Sequence, residues 1–256
     1  MSLPITAFIP YSGNGFTQAT VDQLRNSSLI GKINLLATDD SLQPLEGCKL
    51  VKTGSLLGSE TFRLMAKKNE SRYILLIIHD TAFEFGQFAL ERFLAVAENT
   101  GSGLVYSDYY DLKEGKRAAH PVIDYQLGSI RDDFNFGSVL LFDSDALNHG
   151  VQKNHKSDFA FAGLYSTRLA VSRKWPVTRI AEFLYTKVES DVRKSGEKQF
   201  DYVDPRNRAV QVEMEIAATQ HLKKIGAYLK AKFKKVNLEK GEFEFEASVI
   251  IPVKNR

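Results

Sequence analysis

The sequence predicts an α/β protein with a mostly parallel central sheet and helices on both faces. Three observations carry that expectation. Short apolar runs alternate with amphipathic stretches through the first half, which is the pattern of strands joined by helical crossovers. Several of the apolar runs end on acidic residues. With 256 residues and 43% hydrophobic content, the chain can bury one large core.

The elements follow in order. Ile5 to Tyr11 reads as a strand, then a Ser-Gly-Asn-Gly turn and a helix near Thr17 to Asn26. Ile33 to Thr38 reads as a second strand, ending at Asp39-Asp40. A short strand, Lys49 to Lys52, leads to a helix from Ser59 to Lys68. The strand Tyr73 to Ile78 is followed by Asp80, a helix from Gln87 to Asn99, and the strand Gly103 to Tyr106, followed by Asp108. In the second half, Ser138 to Phe142 and Thr178 to Leu184 read as strands, and Phe159 to Val171 as a helix. Val212, Ile216, Leu222, Ile225, Leu229 and Phe233 mark one long helix over Arg206 to Lys235.

In open α/β sheets a ligand sits outside the carboxyl ends of the strands. Asp39, Asp40, Asp80 and Asp108 would then share one rim. Aspartate also suits turns and helix caps, which is the competing reading for each one alone.

Composition excludes several classes. Charged residues are balanced to a net +3, so nothing calls for a nucleic-acid partner. The single Cys48 excludes an internal disulfide and a multi-cysteine zinc site, and points to a reducing compartment. No apolar stretch is long enough to span a bilayer, and no signal peptide is evident, so the expected location is cytoplasmic. The basic end of the long helix, Lys230 to Lys235, has two readings. It is a solvated helix terminus favoured by the dipole, or a patch for peripheral association with the inner face of a membrane.

Specific strings carry a family resemblance. ASVIIPVKNR (residues 247–256) is similar to the opening strand of the family 2 glycosyltransferases, and ITAFIPYSGNG (5–15) to a weaker version of it. KINLLATDDS (32–41) resembles that family's second strand with its Asp-Asp pair, and Gly58 and Arg63 its Gly-x-x-x-x-Arg element. ESRYILLIIHDT (70–81) resembles the strand bearing the Asp-x-Asp signature, with Ile78 in place of the first acid and Asp80 retaining the second. GLVYSDYYD (103–111) and FNFGSVLLFDSDAL (134–147) resemble the following strand and the acceptor-side strand and turn. DFAFAGLYSTRLA (158–170) resembles the helix opened by the catalytic acidic pair, with Ser157-Asp158 in that place.

The resemblance implies a GT-A fold and transfer of a sugar, with inversion, from a nucleoside-diphosphate donor (UDP-linked) to a hydroxyl acceptor. It implies a catalytic base at Asp158, with a helix N-cap as the alternative role. Pro10, Tyr11, Asp39, Asp40, Arg63, Asp80 and Asp108 would line the nucleotide-sugar site. For Arg63 an ion pair with Glu60 or Glu70 is the alternative. Asp80 would hold Mn²⁺ or Mg²⁺, with His79 as a helper, because these cations take oxygen ligands and phosphates.

Residues 1–236 would form this domain. Residues 237–256 would be a linker and the first strand of a second glycosyltransferase module. The losses at Ile78 and Ser157 keep open a non-catalytic module that positions substrate for a catalytic partner. A nucleotidyltransferase is the third reading, disfavoured because no glycine-rich basic loop follows the first strand.

Overall fold

The six residues Ile5–Pro10 are all buried, as a central parallel strand covered on both faces requires. In the computed structural model, which describes residues 3–154, 157–188 and 208–235, this strand, β1, sits inside a nine-stranded sheet. β2 (Ile30–Ala37) and β4 (Tyr73–Ile77) flank it in parallel, and β3 (Lys49–Lys52) extends the sheet beyond β2. Beyond β4 come β8 (Val139–Asp143), β6 (Leu104–Lys113), β9 (Val177–Val188) and β5 (Phe83–Phe85), with β7 (Lys116–His120) paired to β6. β1 to β4, β6 and β9 point one way; β5, β7 and β8 point the other. The sheet is therefore mostly parallel, as its apolar runs predict.

α1 (Phe16–Arg25) links β1 to β2, and α2 (Ser59–Lys68) links β3 to β4. These crossovers run in opposite directions along the sheet, so right-handedness places their helices on opposite faces. α3 (Ala89–Thr100) packs on β6, β8 and β9, whereas α2, α4 (Ser144–Lys153), α5 (Gly163–Val171) and α6 (Arg208–Lys224) form one contiguous layer.

Several elements differ from the sequence expectation. α4 was read as a turn, yet Asp143 caps it by accepting from the backbone N–H of Asp145 (2.9 Å) and Ala146 (3.1 Å). β7 forms a hairpin with β6 through Glu114-Gly115, both at positive φ, which suits the right-handed twist of the strands. α5 begins at Gly163, later than Phe159.

α6 stops at Lys224, eleven residues before the expected end at Lys235. Gly226, at φ +73°, closes it, with the Ala227 N–H donating to Leu222 O and the Gly226 N–H to Lys223 O. Lys230 to Lys235 thus lie beyond the helix, outside the reach of its dipole. The linker and second-module strand expected over 237–256 lie outside the described residues, as does most of 185–207. No helix among the described residues is long and apolar enough to cross a membrane.

Candidate functional site

At the carboxyl end of β1 the chain turns away at Tyr11, whose N–H still donates to Leu36 O on β2 (2.8 Å). Gly13 makes the turn at φ +81°, where a Cβ would also strike Leu42. This turn carries Ser12 and Asn14 to Asp80, beyond the end of β4. Asp80 accepts from the Ser12 hydroxyl, from Asn14 Nδ2 (2.9 Å) and from Thr17 Oγ1 on α1 (3.2 Å). One carboxylate therefore clamps the loops after β1 and β4 together. Pro10 and Tyr11 stand immediately before this clamp.

Asp39 and Asp40 reach the same rim from β2. Asp39 Oδ1 accepts from the Ser41 hydroxyl (2.7 Å) and N–H (2.8 Å), which lower its pKa, the hydroxyl contributing most. Asp40 pairs with Lys52 at 3.3 Å, with its carboxylate exposed.

On the α2 side of the sheet, Arg63 donates to Asp158 Oδ1 at 2.7 Å. This contact replaces the alternative role weighed for each, a helix N-cap for Asp158 and an ion pair with Glu60 or Glu70 for Arg63. Asp158 does not cap α5, which starts five residues later, and Arg63 pairs with neither Glu60 nor Glu70; Glu70 pairs with Lys32. Both line a shallow depression of about 630 Å³ with Gly54, Ser55 and Gly58.

Asp108 departs from the expected rim. It is 3% exposed, accepts from Arg179 Nε (2.8 Å) and Nη2 (2.7 Å), and accepts from the Val122 N–H (3.0 Å). This bidentate pair ties β6 to β9 where their register shifts, so the carboxylate serves the sheet.

A second cavity, about 470 Å³, opens between the rim and the α5–α6 pair. Ile78, His79, Phe136, Phe161, Tyr165 and Met214 line it. His79 Nδ1 meets Ser138 Oγ at 2.9 Å. Its outer edge is exposed, yet loss of solvent around the ring, then the charge of Lys187, push its pKa down to about 4. Arg168 is buried at the cavity's base, donating to the carbonyls of Ser129 (3.1 Å) and Arg131, with the Tyr165 ring 4.7 Å away. Burial lowers its pKa.

The cavity's outer wall depends on α6, an element with no family motif. Glu213 reaches across to accept from the backbone N–H groups of Ala160 (3.0 Å), Phe161 (2.7 Å) and Ala162 (3.1 Å). These donors open α5, where a carboxylate is favoured by the helix dipole. His221, also on α6, is 1% exposed; Arg173 lies 3.3 Å from its Nδ1, and its Nε2 has no partner.

Burial first, then Arg173 and Arg168, lower the His221 pKa from 6.5 to about 4. The folded state thus favours the neutral ring. Its contribution is whole above the unfolded value and is lost as pH falls through that interval. The expected result is faster hydrogen exchange of α6 amides as pH drops from above 6.5 towards 4, after correction for the intrinsic rate. In His221→Phe this acid dependence should vanish. Unchanged α6 protection across the interval would refute the assignment.

The fit of a divalent cation follows from the donor set. Asp80 is the single acid at its clamp, and three donors already address its oxygens. No group of three His, Cys, Asp or Glu able to hold a metal occurs among the described residues. These residues do not form a protein-built metal site. Ser12, Asn14, Thr17 and Glu213 escaped the sequence reading; only the Ser-Gly-Asn-Gly turn drew notice, and Glu213 carries no motif.

No family model matches the chain, and no curated protein matches it in sequence. Solved structures do match. Staphylococcus aureus TarS 1–349 in complex with UDP-GlcNAc aligns at TM-score 0.53 and 12% identity, covering 88% of this chain and 73% of that one. Another S. aureus TarS structure aligns at TM-score 0.58 and 10% identity, covering 86% and 40%. A further structure of TarS 1–349 aligns at TM-score 0.50 and 10% identity, covering 73% of this chain and 60% of that one. The chain thus spans less than two thirds of two of the TarS chains it resembles. At this identity the likeness concerns architecture, and on that ground the chain has a glycosyltransferase fold.

Proposed function

We propose that the chain is a family 2 type glycosyltransferase module that takes a nucleoside-diphosphate sugar, UDP-linked, at the carboxyl rim of its sheet. The observation that carries this reading is the Asp80 clamp, which closes the loops after β1 and β4 into one wall. It lies where open α/β sheets bind ligands, in a fold whose TarS counterparts were crystallised with UDP and UDP-GlcNAc. Pro10 and Tyr11 would flank the base, Asp39 and Asp40 would accept from the base or ribose, and Asp80 would orient the donor.

The chemistry is an in-line displacement. The acceptor hydroxyl oxygen bonds to the anomeric carbon, the bond to the diphosphate breaks with its electron pair on the phosphate oxygen, and configuration inverts. The hydroxyl proton passes to Asp158, whose Oδ1 is held by Arg63 and whose Oδ2 is the accepting atom. A glycan hydroxyl in polysaccharide synthesis is the acceptor class this reading favours. A divalent cation bound through the diphosphate's own oxygens, peripheral membrane contact and a second module after residue 237 remain expectations of the resemblance.

A second reading, a non-catalytic positioning module, is favoured by one observation: Asp158 is 81% exposed and already ion-paired. Calorimetric titration with UDP and UDP-GlcNAc, with and without Mg²⁺ or Mn²⁺, should show binding. Absence of any binding of UDP or GDP at millimolar ligand would sink the donor-site reading. If UDP binds but Asp158→Asn in a longer protein leaves transfer unchanged, the positioning module is the correct reading.

A further inference from the structure

α6 ends at Lys224, so its dipole accounts for Lys223 and Lys224 but not for Lys230, Lys232, Lys234 and Lys235. From Ile216 to Lys235 the chain carries six lysines and no acidic residue. Leu229 and Phe233, set among these lysines, are 90% and 93% exposed. Neither the helix dipole nor the core accounts for them.

The segment continues a wider basic surface. α4, α5 and α6 end close together, and each end brings cations. Lys224 Nζ donates to Lys153 O in the last turn of α4 (3.4 Å). Arg173, two residues past α5, has Nη1 3.3 Å from His221 Nδ1, one turn before Lys224. His149, one turn before Lys153, has its ring centroid 5.0 Å from that of Trp175, and Lys174 Nζ lies 4.4 Å from the Trp175 ring. Lys223 Nζ lies 4.9 Å from the Tyr228 ring.

No carboxylate among the described residues pairs with Lys153, Arg173, Lys174, Lys223 or Lys224. Burial, then Arg173 and Lys153, lower the Lys224 pKa; burial, then Lys174, Lys153 and Arg173, lower that of His149. Like charges gathered without counter-ions repel one another, and an anionic partner relieves that repulsion. Arg173 to Trp175 directly precede β9, so this surface lies at the amino end of the sheet, away from the carboxyl rim.

We propose that this basic surface docks the protein on a bilayer bearing anionic headgroups, with Leu229 and Phe233 entering the interface between the lysines. Charge complementarity selects a polyanion. The two bare apolar side chains select a bilayer, whose acyl boundary takes them up. A nucleic acid fits less well, because a leucine offers its bases no stacking face. The docking does not depend on the donor-site reading and leaves the rim uncovered.

The test is co-sedimentation of the full chain with vesicles of phosphatidylcholine alone and of phosphatidylcholine with phosphatidylglycerol in equal parts, at low and at high salt. Binding is expected to the anionic vesicles only, and should weaken as salt rises. The triple variant Lys230→Gln, Lys232→Gln, Lys234→Gln should lower partitioning roughly tenfold or more, since each lysine near an anionic surface contributes about fivefold. The pair Leu229→Ser, Phe233→Ser keeps every charge and should weaken binding several-fold. Lys116→Gln with Arg117→Gln, exposed on the β6–β7 hairpin, should bind as wild type does. All these side chains are exposed, and an unchanged melting temperature verifies that each variant folds. Absence of binding to anionic vesicles overturns the proposal, and Glu239, Glu242, Glu244 and Glu246 then become the counter-charges. Binding that survives the triple variant, or falls equally in the hairpin control, overturns this surface as the docking site. Binding that is indifferent to Leu229→Ser with Phe233→Ser, and is competed away by a DNA duplex, overturns the bilayer as the partner.

Discussion

Gly163→Ala is expected to destabilise the protein by about 3 kcal/mol, near the upper end of the usual cost of overpacking. A Cβ at this position would lie 2.3 Å from the Gly58 carbonyl carbon, 2.4 Å from Ser59 N and 2.6 Å from Leu57 O. All three are backbone atoms, so no side chain can rotate away. The N-terminal ends of α2 and α5 meet here without side chains between them. Three hydrogen bonds lock the contact: Ser59 N–H to Phe159 O (2.8 Å), Leu164 N–H to Leu57 O (3.1 Å), and Phe159 N–H to Ser59 Oγ (3.1 Å). Forcing the helices apart also separates Arg63 on α2 from Asp158, just before α5. Urea denaturation measures the loss, and Gly128→Ala, where a Cβ meets open space, is the control. Equal midpoints for the two variants would disprove this account of the helix contact.

Asp108→Ala should cost a similar amount, about 3 kcal/mol, through a different mechanism. Arg179 would lose both of its short contacts while its side chain stays 17% exposed, and the Val122 N–H would lose its acceptor. Removing one partner of a mostly buried pair is costly because the other charge stays desolvated. Asp124, at 3.5 Å from Arg179 Nη1 and largely exposed, can compensate only in part. Chemical denaturation of the purified variant gives the number. A loss well under 1 kcal/mol would mean that water replaces the carboxylate, and that the β6–β9 junction does not depend on it. The variant also separates the two roles considered for Asp108: a structural residue lowers stability and leaves nucleotide affinity in the folded protein intact.

β1 and β4 were legible because every residue in them is buried, so the strands must be largely apolar. β3 and α2 begin and end where the residue pattern places them, at Lys49–Lys52 and Ser59–Lys68. The edges were less legible. β5 is three residues long and β7, Lys-Arg-Ala-Ala-His, carries almost no apolar signal; both exist because neighbouring strands supply their hydrogen bonds. The end of α6 was readable in principle from Gly226, but the apolar stripe running on to Phe233 outweighed it. Phe233 is 93% exposed, so the stripe there marks no packed face.

The same division holds for the candidate site. Asp80 stood out in the sequence as an acid just after an apolar strand, and the structure gives it three donors. Asp108 stood out on the same grounds, and Arg179, seventy-one positions away, draws it into the sheet. Nothing local distinguishes the two aspartates.

What the sequence determined by itself was the α/β architecture and the approximate rim, because alternation and strand-end chemistry are local properties of the chain. Tertiary structure alone decided which rim charges are neutralised and which stay available. Ion pairing depends on residues far apart in the chain meeting within a few ångströms. That is why Asp158 came to Arg63, Glu213 to the start of α5, and Arg179 to Asp108.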